Sequence, residues 1–182
     1  VIGEKIVRDS YLKCPWDIVR PTAVWGPWFR SSYTTFFQLI EKGLFVLPGK
    51  NKLSKPATFV GNTVYMIDKI LKSDQPHEQV YYLADYPDYS IQEWASSISK
   101  GFGVRNSISL PKFLIKLFAK IGDLLILFRL NSNPPLSTFR LNNIISSAKY
   151  DLNKTSSIVG PLPFDLDSGV KITVKWMKNN TI

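Results

Sequence analysis

The sequence predicts an α/β fold in which short buried strands alternate with amphipathic helices. Three observations predict it. Short apolar runs of strand type, Asp17-Ile18-Val19-Arg20, Leu44-Phe45-Val46-Leu47, Ala57-Thr58-Phe59-Val60 and Gln79 to Ala84, are separated by stretches with helical periodicity. Helix punctuation falls between them, with Gly43 as a C-terminal stop and Ser90-Ile91-Gln92-Glu93 as a capping box. Finally, Arg20-Pro21-Thr22-Ala23-Val24-Trp25-Gly26-Pro27 carries a strand straight into a rigid Pro/Gly turn. In an open α/β sheet, ligands bind beyond strand ends of this kind.

Residues 1–12 predict a helix with Ile2, Ile6 and Val7 on one face and Glu4, Lys5, Arg8 and Asp9 on the other, ended by Cys14-Pro15. No capping residue precedes this helix, so the chain is expected to be a fragment that starts in mid-helix. A strand is expected over 16–20, then the turn through Pro27, then a helix at about 33–42. Asn62 is placed to cap a helix over 63–71, whose Val64, Ile67, Ile70 and Leu71 form an apolar face. The helix begun at Ser90 is expected to end near Gly101. The longest helical pattern runs over 111–130, with Lys112, Lys116, Lys120 and Asp123 on one face and Leu, Ile, Phe and Ala on the others. Asp151 is expected to cap a short helix closed by Gly160-Pro161, and a last helix covers about 166–178.

Composition narrows the function classes. The 182 residues are 45% hydrophobic and 20% charged, which supports a packed core and excludes a disordered tail. The net charge of +9 favours anionic partners. The basic residues are spread along the chain without a nucleic-acid motif, so no nucleic acid is expected as a partner. Cys14 is the single cysteine, which rules out an internal disulfide or a cysteine-based zinc site and fits a reducing cytoplasm. No metal site is expected. His77 follows Asp74-Gln75-Pro76 and reads as an exposed loop histidine. The isolated Gly3, Gly26, Gly43, Gly49 and Gly61 do not form a phosphate cradle.

The order of these elements resembles the C-terminal half of the extended short-chain dehydrogenase/reductases, the NAD-dependent epimerase/dehydratase family. Gly3-Glu4 resembles the tail of the family's Tyr-x-x-x-Lys-x-x-Gly-Glu helix. Arg20 to Pro27 resembles its Arg-Pro-x-x-Val-Tyr-Gly-Pro, with Trp25 for Tyr. Thr58 to Asn62 resembles the later Phe-x-Tyr-Val-x-Asp region. Asp151-Leu152-Asn153-Lys154-Thr155, Gly160 to Pro163 and Trp176 resemble the ending. Three departures bear on the substrate: Ala23 stands where many sugar-nucleotide members carry Asn, Lys55-Pro56 where Arg-Asp is usual, and Gly61-Asn62 where Asp-Asp is usual. Arg to Lys keeps a charge but loses a bidentate fork for phosphate.

The resemblance implies that residues 1–27 complete a Rossmann-type sheet, the end of an NAD(P)-binding domain, and that 28–182 form a small mixed α/β substrate-binding region. It implies hydride transfer at a sugar hydroxyl or carbonyl carbon with NAD or NADP as cofactor. The catalytic Tyr/Lys pair would lie upstream of Val1, so no catalytic residue is expected in this segment and the segment alone is expected to be inactive. Pro21, Thr22, Ala23 and Val24 are expected to line the nicotinamide, and Arg30, Lys55, Asn62 and Arg140 to bind substrate. Lys50 and Lys52 share the loop of Lys55, and Trp28 and Phe29 could wall a pocket. The expected partner is a nucleotide-linked sugar or similar small molecule. The alternatives are a sterol- or isoprenoid-type alcohol dehydrogenase at a membrane surface, or a non-catalytic binding module of the same fold. Peripheral membrane contact through 111–130 and a homodimer both agree with the sequence, which carries a broad apolar face over 111–130.

Overall fold

The computed structural model describes residues 2–9, 14–29, 32–49, 52–128, 137–145 and 148–180. Its elements, in chain order, are α1 (Ile2–Asp9), β1 (Ile18–Pro21), β2 (Ala23–Trp25), α2 (Ser32–Glu41), β3 (Val46–Pro48), β4 (Ala57–Phe59), α3 (Val60–Leu71) and β5 (Val80–Leu83), followed by α4 (Ile91–Phe102), β6 (Ile108–Leu110), α5 (Lys112–Leu127), α6 (Thr138–Ile145), α7 (Asn153–Val159) and α8 (Leu166–Asn179). The strands form three parallel pairs, β1 with β5, β2 with β4 and β3 with β6. Parallel neighbours need long crossovers, and the intervening helices supply them. The architecture is therefore the expected α/β arrangement.

Most of the expected helix ends are where local chemistry puts them. Ser90 accepts from the Glu93 N–H at 3.1 Å, and the Glu93 carboxylate accepts from the Ser90 N–H at 2.8 Å, which completes the capping box. Gly43 has a φ of 68° just past α2, a conformation that only glycine adopts without strain. Asp151 accepts from the Asn153 N–H at 3.0 Å, although Leu152 is the cap residue of α7. Asp165, which the sequence pattern did not single out, caps α8 by accepting from the Ser168 N–H at 2.8 Å.

Several boundaries differ from expectation, β3 (Val46–Pro48) among them, and β6 and α6 were not expected; four of the differences have a tertiary reason. The segment Ala23–Trp25, read as a turn, is a strand because β4 lies alongside to pair with it. The strand before it runs Ile18–Pro21, starting two residues and ending one residue later than expected, in register with β5. Helix α3 starts at Val60, so Asn62 lies inside its first turn and is not its cap; Phe59 is the cap residue and gives no side-chain bond. Helix α4 continues to Phe102 and ends on Gly103. Gly101 is instead a packing position, where an added Cβ would lie 3.2 Å from both Val170 and Val174 of α8.

The main core gathers Trp25, Phe37, Phe59, Trp94, Ile98, Val170 and Val174 from β2, β4, α2, α4 and α8. A second cluster joins Met66 and Ile70 of α3 with Tyr81 and Leu83 of β5 and Val159 of α7. A third, much smaller one puts Ile115 and Ala119 of α5 on Leu141 of α6.

Candidate functional site

The chain changes partners at Thr22. Up to Pro21 it runs beside β5, with Pro21 opposite Leu83. Thr22 then gives both its N–H (2.9 Å) and its hydroxyl (3.0 Å) to the Leu83 carbonyl, the last bonds to that neighbour. From Ala23 the chain pairs with β4, Ala23 opposite Ala57. Pro21 is exposed and Thr22 to Val24 are half-buried. The result is a rigid, uncharged strip at the C-terminal end of β1, since proline fixes its own φ and Thr22 is held twice. Gly26 closes the strip at a φ of 135°, with its Cα so near Val60 that an added Cβ would lie 2.6 Å from it. Trp28 follows at a φ of 70° and is 80% exposed, 5.8 Å in ring separation from Trp176. A left-handed conformation is costly for a tryptophan, by about 1–3 kcal/mol, and such positions cluster at functional sites.

Two anchors hold the strip. Below it, the Arg20 guanidinium donates to both carboxylate oxygens of Glu4, at 2.8 and 2.5 Å, and to the Tyr82 hydroxyl at 2.6 Å. The bidentate pair ties α1 to β1 and β5; the Glu4 carboxyl is held below its usual range by the hydrogen bond from Arg20. Above it, Trp25 is fully buried against Phe59 and Trp94 and donates from Nε1 to the Tyr89 hydroxyl at 2.7 Å. Tyr89 in turn donates to Asp85 at 3.3 Å.

Asp85 is the polar centre of this region, and the sequence pattern missed it. It sits two residues past β5, almost fully buried. Its carboxylate also accepts from Thr58 Oγ1 (3.1 Å), the Phe59 N–H (3.0 Å) and Asn62 Nδ2 (2.9 Å), and its own N–H donates to the Ala57 carbonyl at 2.9 Å. Burial nevertheless raises the carboxyl above its ordinary range, against the opposing pull of those hydrogen bonds. An acid directly after a strand in a run rich in Tyr was the signal that could have found it.

The substrate-binding expectations separate on this frame. Asn62 is fully buried, and its amide is taken up by Asp85 and by the N–H and carbonyl of Phe164, at 3.1 and 2.9 Å. In this arrangement it locks the approach of α8 to α3. Lys55 is half-buried at the entry to β4, and burial lowers its ammonium below the usual lysine range. Lys52 is paired with Glu93 at 2.7 Å. Arg30 and Lys50 lie outside the described residues, and of Arg140 only the backbone, on α6, is described. His77 is exposed and lies 3.1 Å from Asp17, as a loop histidine. Among the described residues no group of three or more His, Cys, Asp or Glu side chains could hold a metal ion.

A groove of about 950 Å³ opens between the 85–89 loop, the side of α4 and the segment entering α8. Asp85, Asp88, Glu93, Asp165 and Asp167 line it with Lys100 as the one base, and Pro21, Thr22, Ala23, Val24, Lys55 and Asn62 do not. Five carboxylates make this groove a poor receiver for a diphosphate, so the strand-end strip and this groove are separate features.

Parallel strands, a strip at the C-terminal end of β1 and a helix-covered core define a Rossmann-like α/β fold, which is similar to that of solved epimerases, as the sequence resemblance implied. No family model matches the chain. It is 25% identical over 179 residues to the N-acetyl-alpha-D-glucosaminyl-diphospho-ditrans,octacis-undecaprenol 4-epimerase of Escherichia coli O157:H7, covering 96% of this chain and 54% of that one. In fold it is similar to a human epimerase family protein solved with NADPH (TM-score 0.68, 16% identity, 94% of this chain and 52% of that one). It is likewise similar to the UDP-glucuronic acid 4-epimerase of Bacillus cereus solved with UDP-glucuronic acid and NAD (TM-score 0.62, 15% identity, 98% and 50%). The chain thus spans about half the length of the relatives it matches.

Proposed function

We propose that this chain is the C-terminal part of an NAD(P)-dependent epimerase that acts on a sugar carried by a diphosphate. The observation that carries the proposal is the strip at Thr22, where a strand end leaves one parallel neighbour for another. Its faces suit a flat nicotinamide ring. Pro21 is exposed and apolar, Ala23 is small, and the Thr22 proton is already spent on Leu83. NAD or NADP, when bound, supplies a reversible hydride acceptor. In this proposal residues 1–27 belong to the cofactor-binding domain and 28–182 to the substrate side. Pro21, Thr22, Ala23 and Val24 hold the ring in place through fixed backbone, Trp28 walls the sugar, and Lys55, Arg30 and Arg140 receive the diphosphate charge. A Tyr/Lys pair upstream of Val1 supplies the proton chemistry.

The E. coli relative acts, by its name, on a sugar linked through diphosphate to undecaprenol, whereas the Bacillus structure holds UDP-glucuronic acid. Ala23, where many sugar-nucleotide members of the resembled family carry Asn, favours the lipid-linked form of substrate. The test uses the longer polypeptide that contains this segment, assayed with a UDP-linked N-acetylhexosamine and with the same sugar on a polyprenyl diphosphate in detergent. Epimerisation of either with bound NAD(P) supports the proposal, and the preferred carrier names the substrate class. Absence of both cofactor binding and epimerisation in the folded protein overturns it. Ala23→Trp, which would fill the strip, is expected to abolish cofactor binding.

A further inference from the structure

Helix α5 turns its apolar side outward. At about 100° per residue, Phe113, Leu117, Ile121, Leu124 and Phe128 fall on one stripe. They are between 47% and 68% exposed, while Ile115 and Ala119, on the opposite side, pack on Leu141. Lys116 and Lys120 are exposed along one edge of that stripe. Asp123 is the only acid of the helix, and its two oxygens are occupied by the N–H (3.0 Å) and hydroxyl of Thr138 at the start of α6. Those bonds hold its carboxyl below the ordinary range.

A contiguous apolar stripe in water marks an interaction surface. Its chemistry selects the occupant. An apolar face edged by lysines matches a helix that lies in the headgroup region of a bilayer, with the ammonium groups at the phosphates. A second copy would bring two lysine edges together in a protein whose net charge is already +9, whereas an anionic bilayer neutralises them. No described helix is long and apolar enough to cross a membrane; the sixteen residues of α5 reach about 24 Å.

We infer that α5 docks this protein peripherally on an anionic lipid bilayer through the stripe Phe113, Leu117, Ile121, Leu124 and Phe128, with Lys116 and Lys120 on the headgroups. The inference adds a partner to the proposed enzyme and does not depend on its chemistry.

Flotation of the purified protein tests it, with vesicles of equal phosphatidylglycerol and phosphatidylcholine and with vesicles of phosphatidylcholine alone. Binding to the anionic vesicles is expected at low salt, weakening at about 0.5 M NaCl. Phe113→Asp and Leu117→Asp, both at exposed positions, are expected each to weaken that partitioning about tenfold or more, with circular dichroism unchanged. Lys116→Glu with Lys120→Glu is expected to remove the preference for anionic vesicles. Failure to float at low salt overturns the inference, as does binding that none of these variants changes. A lipid-indifferent dimer that Leu117→Asp dissociates also overturns it, assigning the stripe to self-association. Turnover of a water-soluble nucleotide sugar, measured in parallel, reports on the proposed chemistry alone, so the two proposals can fail separately.

Discussion

Removing the Asp85 carboxylate should cost more stability than any other single side-chain truncation in the polar part of the core. In Asp85→Ala four donors lose an acceptor. Thr58 has an alternative, since its Oγ1 lies 3.1 Å from Thr63 Oγ1, while Asn62 keeps one of its two amide bonds, to the Phe164 carbonyl. The Phe59 N–H and the Tyr89 hydroxyl give their protons to Asp85 at 3.0 and 3.3 Å, and a buried orphan donor costs about 1–3 kcal/mol. Against that stands the relief of an acid whose charged form burial disfavours. The net expectation is a loss of about 2–4 kcal/mol, read from urea denaturation midpoints with the slope unchanged. Asp85→Asn keeps one acceptor oxygen but turns an amide N–H toward the Phe59 N–H, and should lose about 1–3 kcal/mol. The pH dependence carries a sign. Because the folded carboxyl lies above its reference of 3.8, the stability it contributes is fully present below 3.8 and is lost as pH rises through the folded value. The advantage of wild type over Asp85→Asn should therefore narrow with rising pH. A loss below about 1 kcal/mol in Asp85→Ala, less than a single buried orphan donor costs, would refute the assignment of Asp85 as the tie between β4, α3 and Tyr89.

Other perturbations test neighbouring parts of the same frame. Gly169→Ala would put a Cβ 2.9 Å from Trp25 and 3.1 Å from Phe59, both rigid rings. The overpacking of about 1–3 kcal/mol should exceed the helix-propensity gain of about 1, lowering the thermal midpoint. Ser90→Ala should cost about 1 kcal/mol through the lost capping box, and thermal denaturation would show it. Glu93, held down to about 2 first by Lys52 and then by Ser90, titrates with the opposite sign to Asp85. Its contribution is present above the reference of 4.5 and lost as pH falls through about 2, so Glu93→Gln should flatten the acid limb of the stability profile.

What the sequence determined by itself is the local grammar. The Ser90 to Glu93 box, the glycine stop at Gly43 and the last helix follow from contacts within a few residues, so a linear reading reaches them. The motif from Arg20 to Pro27 likewise marked the strip that carries the functional proposal. Tertiary structure decided the rest. Ala23–Trp25 becomes a strand only because β4 offers a second edge after β5 ends, a fact about position that no propensity encodes. Asn62 has the composition of a cap, yet Asp85 and Phe164, 23 and 102 residues away in sequence, draw it into the core. The apolar pattern of α5 shows a helix with a greasy face, but periodicity is blind to direction. That the greasy face looks outward follows from tertiary packing: among the described residues it is the side holding Ile115 and Ala119 that packs on Leu141 of α6, Val46 and Leu110.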